Sequence, residues 1–335
     1  MSNKTSQAPL TFSEKLGNLV PYFIMAAFIL IVQVGSLWLS ATDYIVSQSQ
    51  LENPESIGYA AYYIVILILF SALIIFLMRK NMEFVIRGII YFSIAVTLYY
   101  VFAALLDKAV GLTTTTTILA IAIAVILAVL LYKFPEWYII DIAGITIAIG
   151  ACSIIGVSLS YVPIILIMVG LLIYDFISVY KTKHMLTLAN GMMDMKLPIL
   201  FVIPRKWNYS YITDDFSDDD DDEADSSENE GKTDAEIAIQ KKKKKSDALF
   251  MGLGDAVIPT LLVISANHFI EHDGFISTPA LFTAIGTMVG FAVLMYVVSR
   301  GKPQAGLPFL NSGAILGFLI GVLVSGTAVS FSLGF

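Results

Sequence analysis

Apolar residues in this chain do not alternate with polar ones. They run unbroken for about twenty positions at a time, and short polar connections separate the runs. A helix rises about 1.5 Å per residue, so about twenty apolar residues cross a hydrocarbon core about 30 Å thick. The stretches that qualify are 20–40, 58–78, 85–106, 115–132, 137–157, 161–180, 248–268, 279–299 and 309–333. Runs without a period of two predict helices rather than a barrel, because a helix satisfies its own backbone inside lipid. The expected fold is all-α: a polytopic transmembrane helical bundle of about nine spans.

Composition agrees. Of 335 residues, 57% are hydrophobic and 14% charged, against about 45–50% and 25% in soluble domains. One cysteine, Cys152, excludes an internal disulfide framework and a cysteine-based zinc cluster. The first apolar run is too long for a signal-peptide core and has no small-residue cleavage site, so it is expected to stay as a span. The lipid bilayer is the expected partner, and no nucleic acid is.

Basic residues give the orientation. With the N-terminus in the cytoplasm, 19 of the 20 Lys and Arg residues fall on the inside and only Lys108 outside. Juxtamembrane cations resist translocation, so the expected topology has N-terminus inside, C-terminus outside and an odd number of spans. The protein is expected as a multi-pass component of the cell membrane.

One long polar segment, 205–247, interrupts the pattern with Asp218–Asp222 and, further on, Lys241–Lys245. It has too few apolar residues to offset its chain entropy, so a disordered cytoplasmic loop is expected. The chain then divides into a six-span part (1–204), the loop (205–247) and a three-span part (248–335).

Ionised groups are costly in hydrocarbon, which makes acids within spans candidates for function. Asp141 lies four residues beyond Trp137 and reads as an interfacial, partly hydrated carboxylate. Asp175 lies six residues before Lys181, about 9 Å along a helix. Asp255 follows Gly252-Leu253-Gly254, with Pro259 one turn further on. Their spans run in opposite directions from the same side, so both carboxyls can reach a similar depth. Two carboxyls sharing a site cannot both ionise cheaply; one keeps a proton while the other acts as a base on water. Isolated acids in spans also serve ion or proton pathways, so a secondary transporter or channel is the alternative.

Tyr174-Asp175 in one span and Gly252-Leu253-Gly254-Asp255 in the next resemble the YD and GxGD motifs of the presenilin and signal peptide peptidase family. Span number, the long loop between the sixth and seventh spans and the motif order fit too. The family's Pro-Ala-Leu motif is matched in part: Leu307 and Pro308 fit, whereas Ala305 and Gly306 depart from it. A cytoplasmic central loop sides with presenilins, and the chain is most similar to presenilin homologues of the archaeal type. The resemblance implies an intramembrane aspartyl endopeptidase with Asp175 and Asp255 as catalytic pair. It also implies substrate contacts at Tyr174, Gly252, Leu253, Gly254, Gly306, Leu307 and Pro308. Transmembrane proteins are the implied substrates; no cofactor or metal is expected, and no partner subunit is required.

Two further features stand out along the chain, and one further family is similar to it. Gly313, Gly317 and Gly321 recur every four residues, a small face suited to close helix packing. His268-Phe269-Ile270-Glu271-His272 matches the H-x-x-E-H pattern of zinc proteases but lacks an evident third ligand. Preflagellin and prepilin peptidases, also aspartyl with a GxGD motif, resemble the chain less because they lack the long central loop.

Overall fold

The computed structural model describes residues 12–48, 51, 53–80, 82–111, 113–177, 200–204, 209–211, 248–298 and 306–327. Its helices are α1 (Phe12–Ser40), the short α2 (Asp43–Gln48), α3 (Ile57–Arg79), α4 (Glu83–Val110), α5 (Thr114–Lys133), α6 (Trp137–Ser158), α7 (Tyr161–Ile177), α8 (Leu253–Phe269), α9 (Thr278–Val298) and α10 (Leu307–Ser325). Seven of these are long and apolar enough to cross a membrane, and α7 and α8 are shorter apolar helices. The helical bundle read from the apolar runs is therefore present. Thr113 begins α5 with a reciprocal capping box to Thr116, so the shortest expected span has a well-defined start.

The bundle also contains a feature that the apolar runs do not announce. β1 (Leu200–Pro204) and β2 (Ala248–Gly252) pair antiparallel, with Val202 opposite Phe250 and Leu200 opposite Gly252. Residues 248–252, expected as the start of the seventh span, are therefore strand, and the helix begins at Leu253. Pairing satisfies the facing half of each strand's backbone groups and leaves an outer edge on each. The strands join the chain on either side of the polar segment. Phe201 and Ile203 pack with Met25 and Ile29 of α1, Met251, Ala256 of α8 and Leu310 of α10.

Most of the segment expected as a disordered loop, 205–208 and 212–247, lies outside the described residues. Its described part is packed rather than solvated. Tyr211 is fully buried, its amide donates to Glu136 Oε2 at 3.3 Å, and Ser210 Oγ lies 2.8 Å from Glu136 Oε1.

Helix α6 sits at the centre. Ser36 on α1 accepts at its carbonyl from Ser153 Oγ at 3.2 Å, and Ile264 of α8 occupies the space beside Gly156. Ser265 Oγ on α8 donates to the Leu159 carbonyl at 2.7 Å, tying the far end of α8 to the chain just before α7. α9 and α10 meet backbone to backbone. A Cβ on Gly286, Gly313 or Gly317 would collide with main chain of the facing helix, and one on Gly321 would stand 2.6 Å from Pro279 Cα. The four-residue glycine spacing is thus a packing face.

Candidate active site

Asp175 sits near the end of the described part of α7, and Asp255 in the first turn of α8. Since Ser265 and Leu159 pair at the opposite ends, the two helices lie antiparallel and bring the aspartates to one level. The carboxyl groups are close enough to interact electrostatically. Asp175 is 3% exposed; Asp255 is half-buried. Asp175 Oδ2 is buried without a hydrogen-bond partner among the described residues. A buried carboxyl oxygen left open is where a shared proton or a reacting group would complete the set.

A third element closes on the pair. The backbone N–H of Leu307 lies beside the Asp175 carboxyl. A Cβ added at Gly306 would stand 2.8 Å from Asp255 Oδ2 and 3.1 Å from its Cγ, closer than real Cβ atoms come. The main chain at 306–307 therefore touches both acids, and glycine at 306 is what permits it. Pro308 lies in the first turn of α10, where its missing N–H is not needed. Asn311, one turn on, is fully buried and donates through Nδ2 to the Met168 carbonyl at 3.2 Å, which fixes α10 against α7.

The other expected site residues lie around this point with different exposures. Gly252 is the N-cap of α8, and a Cβ there would be 3.6 Å from Asp255 Oδ2. Leu253 turns inward towards α6, within 3.2 Å of where a Gly144 Cβ would stand. Gly254 is exposed, and Tyr174 is 43% exposed beside Asp175.

Asp141 is buried rather than partly hydrated. It is 4% exposed, and its Oδ1 accepts the Val202 N–H at 2.8 Å. The reason is β1, which folds back over α6 and covers the carboxylate that the sequence alone leaves facing the membrane boundary. The acid holds the strand whose partner leads into Asp255.

The histidine pattern forms no comparable cluster. His268 packs edge-on against Phe269 with centroids 4.9 Å apart, and His272 Nδ1 lies 2.9 Å from the Ile270 carbonyl oxygen. No group of three His, Cys, Asp or Glu side chains among the described residues is placed to hold a metal ion.

Two contributors escape the sequence reading. Asn311 stands in the stretch after Pro308, and a buried amide in an apolar span could have marked it. The strand at 200–204 appears only as five apolar residues before the polar segment, too short to register as a span.

With this geometry in view, the chain compares with known proteins as follows. The sequence model of the family described as signal-peptide peptidase, presenilin aspartyl protease matches residues 26–327. No curated protein matches the chain. Among the solved structures that resemble it are two of a presenilin family intramembrane aspartate protease. The one in space group C222 has 32% identity and a TM-score of 0.64, covering 91% of this chain and 99% of that one. The one in space group P2 has 32% identity and a TM-score of 0.61, covering 90% and 96%.

Proposed function

This chain belongs to the signal-peptide peptidase and presenilin family of aspartyl proteases, and on that premise we propose that Asp175 and Asp255 are its catalytic pair. It is a multi-pass membrane protein and an intramembrane aspartyl endopeptidase, a hydrolase whose substrates are transmembrane proteins. The observation that carries the assignment is the convergence of both carboxyls with the 306–307 main chain, one of them with an oxygen left open.

The pair shares one proton. The ionised carboxylate takes a proton from a water, whose oxygen adds to the scissile carbonyl carbon while the protonated partner hydrogen-bonds the carbonyl oxygen. The tetrahedral intermediate collapses, the C–N bond breaks, and a proton passes to the leaving amine. Because the two acids titrate as a unit, the proton belongs to the pair.

A transmembrane helix shields its amides, so a substrate has to unwind before water can attack. Two neighbouring features support docking of an unwound segment. One is the strand pair β1–β2, an extended backbone that an added strand could join. The other is the chain at Gly306, Leu307 and Pro308, where Pro308 donates no N–H. Gly252, Leu253 and Gly254 join the first to Asp255, and exposed Tyr174 flanks Asp175. The distribution of Lys and Arg supports a cytoplasmic N-terminus and 205–247 segment and an outside C-terminus.

Purified protein incubated with a transmembrane peptide tests the reading. Cleavage is expected from the wild type and to vanish in both Asp175→Ala and Asp255→Ala. A peptide-hydrolysis transition-state mimic should block it, and a chelator should not. Retained cleavage in either variant would overturn the pair.

A further inference from the structure

Far from the aspartates, a groove of about 580 Å³ runs between α4 and α5. Its walls are one stripe of each helix: Phe84, Gly88, Tyr91 and Ala95 on α4, facing Val125 and Ala128 on α5. The small residues make the depression, and a Cβ at Gly88 would meet nothing within 4 Å. From Glu83 to Ala95 the groove spans about 18 Å of helix, close to the roughly 15 Å depth of one lipid leaflet. Its inner surface is apolar; its mouth is not.

Arg87 stands at that mouth. Its Nη2 contacts Glu83 Oε2 at 3.3 Å, an exposed pair of the weak kind, while its buried Nε has no hydrogen-bond partner. Arg79, Lys80 and Lys133 lie exposed at the same end of these helices, against the carboxylates of Glu83 and Glu136. Glu136 is already engaged by Ser210 and Tyr211. Phe84 at 88% and Tyr132 at 63% exposure flank the mouth as side chains do at headgroup level.

We propose that this groove binds an anionic phospholipid, with one acyl chain between α4 and α5 and the phosphate against Arg87. A guanidinium offers several donors at once to phosphate oxygens, and the Arg87 side chain is 41% exposed, its pair with Glu83 weak enough to yield. The excess of cations around the mouth favours a lipid with net negative charge over a zwitterionic one. The site needs neither the aspartates nor a substrate, so it stands apart from the catalytic assignment.

Native mass spectrometry of the delipidated full chain, titrated with phosphatidylglycerol or with phosphatidylcholine of the same acyl chains, tests it. One phosphatidylglycerol should be retained about tenfold better than phosphatidylcholine, because both carry the phosphate and only choline adds a cation among the basic side chains. Arg87→Gln should lower retention of both lipids about tenfold, since both lose the phosphate contact. Gly88→Phe, entering open space, and Ala128→Leu, from the opposite wall, should each remove retention of both. If Gly88→Phe fails to fold by circular dichroism, Ala128→Leu decides. Unchanged retention in Arg87→Gln, equal retention of the two lipids by the wild type, full retention in the groove-filling variants, or displacement by inorganic phosphate alone would each overturn the proposal.

Discussion

Replacing Asp141 by alanine tests how the catalytic geometry is supported. The carboxyl accepts the Val202 N–H at 2.8 Å in a site 4% exposed, so alanine removes that bond and strands a buried donor. Such losses cost about 1–3 kcal/mol. The perturbation has a defined route. Val202 pairs with Phe250, β2 runs without a break into α8, and Asp255 is the third residue of that helix. A displacement near 1 Å at the carboxyl would lower turnover about 100-fold. Thermal unfolding in detergent and cleavage of a transmembrane peptide are the two assays. Asp141→Ala should melt earlier and cut far more slowly, mainly through kcat. Asp141→Asn keeps an acceptor for the same amide and should recover most of both. If the alanine variant melts within about 0.5 kcal/mol of the wild type and cuts at full rate, the strand is not held by this acid, and the reasoning fails.

Other expectations follow from the same contacts. Gly306→Ala puts a methyl 2.8 Å from Asp255 Oδ2 and should reduce cleavage about tenfold or more while leaving helicity by circular dichroism unchanged. Gly313→Leu drives a side chain into the backbone of α9 and should destabilise the fold by about 1–3 kcal/mol or more, read as an earlier melt. The pH–rate profile should be bell-shaped with its maximum on the acid side of neutrality. Acid adds a second proton and removes the base, alkali strips the shared one and removes the acid, and a rate that keeps rising into alkali would contradict this.

The bundle was readable because hydrophobic length is a one-dimensional property. The aspartates were readable because an acid within an apolar run is conspicuous in any sequence. What escaped was long-range. Leu200–Pro204 and Ala248–Gly252 meet across more than forty residues, and a five-residue apolar run carries no signal of its partner. Asp141 was misjudged for the same cause: position along α6 suggests a boundary, whereas burial is decided by a strand from elsewhere. The 305–308 stretch shows the reverse case. Gly306 departs from the family's motif as a letter, yet its main chain lies against Asp255, because contact there depends on the absence of a side chain.

The length of α8 sets a scale for what enters beside it. Its 17 residues reach about 25 Å, some 5 Å less than the hydrocarbon is thick. A substrate helix long enough to cross the whole bilayer, laid alongside with its far end level, overhangs by about one turn. That surplus turn faces extended, self-paired strands instead of another helix. On the proposed assignment the membrane acts as a ruler, and cleavage is expected about one turn inside the substrate's own boundary.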